Sequence, residues 1–120
     1  MSDVVELYPN NAKRIELVIR QPAEGEGTEP ATGLSPTVRV VLDPTATADL
    51  HPSLTTTALE YGTSGEYYAD LAGAALAARL ADNTLAYGKC YIQVLVGTSL
   101  VGVADAVLRR YRRLTVTLPS

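Results

Sequence analysis

Alternation of apolar and polar residues is the main pattern along this chain. In residues 10–20, Ile15, Leu17 and Ile19 share one face with Lys13, and charged residues dominate the other face. A period of two is that of a β-strand with one buried face. The same reasoning predicts further strands at 37–43, 54–61, 66–71, 89–96, 100–107 and 108–118.

Two of the predicted strands differ in how their faces are covered. Strand 37–43 is expected to bury one face, with Val38, Val40 and Leu42 inward and Arg39 outward. Strand 89–96 carries apolar residues on both faces: Cys90, Ile92, Val94 and Val96 on one, and Tyr91 and Leu95 beside Gln93 on the other. Such a strand is either central and covered, or it packs against another subunit.

Three segments interrupt the strand pattern. Residues 1–10 are interpreted as an N-terminal arm, and residues 21–36, with three Pro, three Gly and three Glu, as a mobile acidic loop. Residues 70–81 are rich in Ala and favour one or two turns of helix that cross between sheets, with Asp70 as the N-cap. The whole chain, 1–120, is predicted to form one domain.

These elements together predict an all-β fold. Seven or so short strands with one brief Ala-rich crossover helix are typical of an antiparallel β-sandwich of the immunoglobulin-like type. A β-barrel with a similar number of strands remains the alternative, because periodicity does not separate the two.

Composition excludes several classes of protein. The 120 residues carry 10 Lys and Arg against 13 Asp and Glu, with one Cys and one His. A single Cys forms no internal disulfide, and one Cys with one His is too few for a structural zinc site. The acidic N-terminus does not resemble a signal peptide, and the longest uncharged run, 90–104, is too short for a membrane helix. We expect neither a cofactor nor a membrane partner.

Catalytic chemistry is not expected either. His51 stands between predicted strands without the serine motif that a nucleophilic mechanism needs, so we interpret it as a surface-loop residue. Cys90 shares the predicted core face of its strand, where burial opposes ionisation of the thiol. The sequence therefore predicts a protein without enzymatic activity.

Charge is concentrated at two places in the sequence. Four arginines surround one tyrosine near the C-terminus, at Arg109, Arg110, Tyr111, Arg112 and Arg113. This segment is either a solvated, charge-protected edge strand or a contact for a protein partner. Nucleic acid is disfavoured by the sequence pI of about 5.0. The acidic loop offers a second contact of opposite charge through its three glutamates, Glu24, Glu26 and Glu29.

Two resemblances bear on function. The motif Leu85-x-Tyr87-Gly88-x-x-Tyr91 resembles the tyrosine corner of fibronectin type III and related immunoglobulin-like domains, in which a tyrosine hydroxyl bonds back to the chain. The order of features over residues 11–114 resembles small immunoglobulin-like virion proteins of tailed bacteriophages. In that layout a charged opening strand precedes a Thr-rich strand, a Gly-x-Tyr strand beginning at Gly65, a short Ala-rich helix, a Tyr-bearing strand and an Arg-flanked final strand.

The second resemblance implies a structural subunit of a virion: a capsid decoration, a head–tail connector or a tail accessory protein. Its partners would be other virion proteins, with a homo-oligomer as a further option, and it would be made in the host bacterial cytoplasm without a signal peptide. The alternative is a carbohydrate- or receptor-binding module that uses Tyr61, Tyr67 and Tyr68 for stacking. Adjacent strand residues face opposite ways, so only one of Tyr67 and Tyr68 would join Tyr61.

Overall fold

The chain folds mainly into β-strands, which confirms the all-β prediction. The structure is a computed structural model that describes residues 4–45, 54–110 and 116–119. Within these ranges it contains ten strands and one helix. They are β1 (Val5–Leu7), β2 (Lys13–Val18), β3 (Arg20–Pro22), β4 (Thr28–Pro30), β5 (Thr37–Val41), β6 (Thr55–Thr57), β7 (Leu59–Glu60), β8 (Glu66–Leu71), α1 (Gly73–Ala81), β9 (Gly88–Val96) and β10 (Ser99–Leu108).

The strands form two main sheets and a separate hairpin. The large sheet has the order β1-β10-β9-β5-β6, the small sheet has the order β2-β8-β7, and β3 pairs with β4 alone. Strand β9 lies in the middle of the large sheet, between β10 and β5. A central position accounts for its apolar residues on both faces, as the first of the two sequence interpretations proposed.

A single hydrophobic core joins the inner faces of the two sheets. The large sheet contributes Leu7, Val38, Val40, Cys90, Ile92, Ala106 and Leu108, and the small sheet contributes Ile15, Tyr67, Ala69 and Leu71. The helix adds Leu76, which is fully buried. The alternation in the sequence therefore locates the inward face correctly in β2 and β9.

The N-terminal residues belong partly to the large sheet. Val5–Leu7 forms β1, which pairs with the end of β10 in the parallel direction, and Leu7 is fully buried. The prediction of a purely antiparallel arrangement is therefore wrong at this edge. A run of three strand residues is too short for its alternation to stand out in the sequence.

One predicted strand, 54–61, divides between the two sheets. Residues Thr55–Thr57 pair with β5 in the large sheet, whereas Leu59 and Glu60 pair with β8 in the small sheet. At the point of change, the N–H of Ala58 donates to the carbonyl of Pro36 at 2.7 Å. This strand connects the two sheets at one side of the core.

The helix begins later than predicted and without a side-chain cap. Asp70 is a β8 residue whose carboxylate pairs with Arg14, and Ala72 occupies the N-cap position. Gly73 opens the helix directly against the loop that precedes β2, and its carbonyl accepts the N–H of Asn10 at 2.9 Å. The helix then leads from the small sheet to the large one, as the predicted crossover requires.

The predicted mobile loop at 21–36 is instead a β-hairpin with a folded return. Strands β3 and β4 pair through Arg20↔Pro30, and Arg20 donates to the side chain of Thr28 at 2.8 Å. Every residue of the two strands is exposed. The sequence pattern failed here because a hairpin without a buried face has no apolar alternation to detect.

The outer face of the large sheet buries a polar pair. Arg39 lies on the outer face as predicted, but it is buried there, at only 6% exposed, and its Nε donates to Oε1 of the fully buried Gln93 at 2.6 Å. Gln93 also donates to the carbonyl of Pro44 at 2.9 Å. Leu42 lies beyond the end of β5 and is half exposed rather than inward.

Strand β10 ends at Leu108, so the strand predicted at 108–118 is wrong for its described parts. Residues Arg109 and Arg110 follow the strand as irregular backbone, and 116–119 is also irregular. His51, Tyr111, Arg112 and Arg113 lie outside the described residues.

Candidate interaction surfaces

The two arginines of the basic segment that the structure describes both contact residues of their own chain. Arg109 pairs with Glu6 of β1 at 3.0 Å, and its backbone N–H donates to the carbonyl of Leu7. The guanidinium of Arg110 lies 4.2 Å from the ring centre of Tyr87. The Arg109–Glu6 pair is half exposed on both sides, so it leaves the guanidinium accessible to a second carboxylate.

The acidic residues gather on the hairpin. Glu24 and Glu26 occupy its tip, between Ala23 and Gly27, whose backbones share a hydrogen bond of 3.2 Å. The left-handed φ angle of Gly27, 83°, permits this tight reversal. Glu29 lies lower on the hairpin, where it accepts a hydrogen bond from Gln21 at 3.3 Å.

The base of the hairpin is held firmly to the small sheet. The N–H of Ala31 donates to the carbonyl of Ile19, and the N–H of Ile19 donates to the carbonyl of Gly65, both at 2.9 Å. The carboxylate of Glu60 accepts the N–H groups of Gly33 and Gly65 at 2.9 and 3.1 Å. The tip glutamates are therefore presented on a support of fixed direction.

The basic segment and the acidic hairpin lie at opposite ends of the two sheets. The hairpin leaves β2 at its last residues, whereas Arg109 follows Leu108, which pairs with Leu7 just before the chain turns into β2. A strand of six residues spans about 20 Å. The structure thus separates the two opposite charges by roughly the length of β2.

The tyrosines that the sequence singled out have different environments. The rings of Tyr61 and Tyr68 lie 4.5 Å apart at 37°, on the outer face of the small sheet, and Arg14 lies 4.4 Å from the ring centre of Tyr68. Tyr67 is fully buried on the inner face. The prediction that only one of the adjacent pair joins Tyr61 is confirmed, and the residue is Tyr68.

Arg14 is the member of this tyrosine surface that sequence reasoning missed. It forms a two-bond ion pair with Asp70, at 2.8 and 3.0 Å, through the register Arg14↔Asp70 of β2 and β8. The hydrogen bonds that the guanidinium donates stabilise the charged carboxylate and so lower the pKa of the Asp70 carboxyl. No short sequence motif indicates this contact, because 56 residues separate the partners.

The tyrosine that bonds back to the backbone is Tyr67, not Tyr91. Its hydroxyl donates to the carbonyl of Ala31 at 2.6 Å and accepts the N–H of Leu34 at 3.2 Å. Tyr91 lies on the opposite, outer face of β9 and is half-buried. The corner motif therefore does not identify the tyrosine that holds the chain in this protein.

The remaining chemistry of the described residues is sparse. Cys90 is fully buried, and burial raises the pKa of its thiol to about 11. The described ranges bring no three acidic, Cys or His side chains together in a metal-binding arrangement. Among the same residues, no helix has the length and apolar character needed to cross a membrane.

Comparison with known proteins identifies no relative. The chain matches no family model, and no curated protein and no solved structure is significantly similar to it.

Proposed function

We propose that this chain is a non-enzymatic structural subunit of a tailed-bacteriophage virion, acting as a capsid decoration, head–tail connector or tail accessory protein. In this proposal the two sheets form an immunoglobulin-like sandwich that works by contact with neighbouring proteins. The virion setting is supported by the order of sequence features over residues 11–114, and the mode of action is supported by the arrangement of charge.

The observation that carries the proposal is the opposite placement of the two charged segments. One end presents the exposed carboxylates of Glu24 and Glu26 on a hairpin, and the other end presents the half-exposed Arg109. At physiological ionic strength such charges act over about 8 Å, so they orient a neighbour that is already close. Charge of this kind determines which partners fit more than how tightly they bind.

A rigid body is the second requirement for a structural subunit, and the fold meets it in two ways. The strand that changes sheets at Ala58 ties the two sheets together, and Tyr67 ties the small sheet to the return of the hairpin. A neighbour that contacts one end is thereby held at a fixed distance from a neighbour at the other end. When many copies of such a subunit repeat around a symmetric particle, their individually weak contacts together give strong attachment.

The test uses particles purified from the host of the protein. Mass spectrometry is expected to find peptides of this chain in the particles, and zero-length carbodiimide coupling is expected to join Glu24 or Glu26 to a lysine of a neighbouring protein. The variant E24Q/E26Q should lose these cross-links. The matched control E66Q, an exposed glutamate on β8, should retain them.

Two results would refute the proposal. The first is absence of the chain from particles that are otherwise complete. The second is a chain that is present but whose cross-links are unchanged by E24Q/E26Q, since the acidic hairpin would then have no part in the contact.

A further inference from the structure

The core is open along one side, opposite the strand that joins the two sheets. Strand β1 pairs only with Ala106–Leu108 of β10, so among the described residues the stretch from Ser99 to Asp105 has a strand on one side only. Strand β2 is likewise the edge of the small sheet, with β8 as its neighbour. Two sheet edges with unpaired backbone groups therefore lie beside the same opening.

Two adjoining grooves follow β2 along this opening. The first, of about 380 Å³, lies between β1 and the first part of β2, and the second, of about 420 Å³, lies between the end of β2 and the large sheet. The second groove is lined on its apolar side by Leu17, Val18, Ile19, Val94 and Val101. Leu17, Ile19 and Val94 pack against the core but are only partly buried, so apolar side chains at the edge of the core are accessible in this groove.

The C-terminal tail has the alternating sequence of a β-strand, but its apolar side chains are exposed. The segment 114–118 reads Leu-Thr-Val-Thr-Leu, so its apolar residues alternate with threonine, and Pro119 follows. In the structure Val116 is 71% exposed and Leu118 is 83% exposed. These two side chains are therefore not inserted in the groove of their own chain.

The dimensions of the tail and the groove agree. Five extended residues span about 17 Å, against about 20 Å for the six residues of β2. A strand added to β2 would hydrogen-bond to its free backbone groups and would point alternate side chains inward, which is the way extended peptides join an exposed sheet edge. Alternation of Leu and Val with Thr supplies apolar residues for the core and hydroxyls for the solvent face.

We propose that the C-terminal tail of one copy of this chain, through Val116 and Leu118, adds as a β-strand to the groove along β2 of a second copy. The occupant is a second copy because the chain carries the fitting strand and leaves it exposed. The inference does not rest on the virion setting proposed above, since the same chain supplies both partners.

The experiment measures self-association of the full chain by light scattering and analytical ultracentrifugation across a wide range of concentration. Association is expected, with amide hydrogen exchange of β2 slowing as the concentration rises. The variant V116D/L118D should raise the dissociation constant by about a hundredfold, because each apolar side chain lost from the groove costs roughly tenfold. Both residues are exposed, so the variant retains the fold of the free chain.

The control is T117D, which places the same charge on the alternate, solvent-facing position of the tail and should leave most of the association intact. A peptide of residues 113–120, added in excess, should dissociate the wild-type complex. The proposal is overturned if the chain stays monomeric throughout, whether its tail is free or protected within its own groove. It is also overturned if V116D/L118D associates as the wild type does. These results are measured on the isolated chain, whereas the proposed function is tested by cross-links to other proteins in purified particles, so failure of one is distinguishable from failure of the other.

Discussion

Removal of the Tyr67 hydroxyl tests how the hairpin return is fixed to the core. Tyr67 is fully buried, and Ala31, whose carbonyl accepts its hydroxyl at 2.6 Å, is 3% exposed. The substitution Tyr67→Phe keeps the ring and its packing and deletes one oxygen atom. It therefore separates the contribution of the hydrogen bonds from that of the apolar surface.

The magnitude follows from the groups that lose their partner. The carbonyl of Ala31 becomes a buried acceptor without this donor, which costs about 1–3 kcal/mol. The N–H of Leu34 loses an acceptor at 3.2 Å, but Leu34 is half-buried and water replaces part of that bond. We expect Tyr67→Phe to lower the free energy of unfolding by about 2–3 kcal/mol, equivalent to about 10 °C in Tm for a domain of this size.

Urea unfolding followed by far-UV circular dichroism measures this loss, since the substitution itself changes the tyrosine fluorescence. The midpoint should fall by about 1–2 M with an unchanged slope. Tyr68→Phe on the outer face of the same strand is the matched control, with an expected change below about 0.5 kcal/mol. Equal losses in the two variants would refute the role assigned to the buried hydroxyl.

Three further predictions concern other contacts. Gly73→Ala should lower the free energy of unfolding in urea by about 3 kcal/mol or more, because its Cβ would overlap the backbone of the loop before β2. The control is Gly102→Ala, whose Cβ makes ordinary contacts, and it should change the free energy of unfolding by less than about 0.5 kcal/mol. A double-mutant cycle of Arg39→Met and Gln93→Leu should give a coupling energy of at least about 1 kcal/mol, and an additive result would contradict the buried pair. Cys90 should react with a thiol reagent only on unfolding. Because burial raises the pKa of this thiol from 9.0 to about 11, the folded state retains the proton to higher pH than the unfolded state, so stability should fall as pH rises between these values, and less so in Cys90→Ala.

Local periodicity was sufficient for those strands whose one face enters the core. In β2 the alternation through Ile15 and Leu17 is also the alternation of burial, because the other face meets solvent. The same logic gave the face of Arg39 but not its burial, since the sequence does not reveal that the outer face of the large sheet is covered beside Gln93. Alternation gives the two faces of a strand, and only the tertiary structure decides what lies against each.

Partner choice between strands was beyond the sequence. The run through Ala58 reads as one strand because its residue types favour extended backbone on both sides of the change between sheets. The acidic hairpin was missed for the opposite reason: Gly25 and Gly27 signal a reversal, but the flanking residues bury no face. The Arg14–Asp70 contact shows the same limit, because ladder register sets it rather than any local motif.

Charge predicts the direction in which the tail enters a second copy. The groove has two ends. One lies beside Glu6 and Lys13, near Arg109, and the other lies beside Ile19 and Arg20, at the base of the acidic hairpin. Entry from the hairpin end would bring the sequence segment that carries Arg112 and Arg113, just before the tail, toward the acidic hairpin tip of the receiving chain, whereas entry from the opposite end would bring it toward Arg109.

Entry from the hairpin end gives a head-to-tail contact between different surfaces of the two copies. A contact of this kind closes into a ring or continues as a filament, whereas reciprocal exchange gives a closed dimer. Negative-stain electron microscopy and mass measurement should therefore find rings or filaments, and the charge reversal E24K/E26K should weaken them most at low salt. A stable two-fold dimer that is insensitive to E24K/E26K would show that the strands exchange reciprocally and that the opposed charges do not guide them.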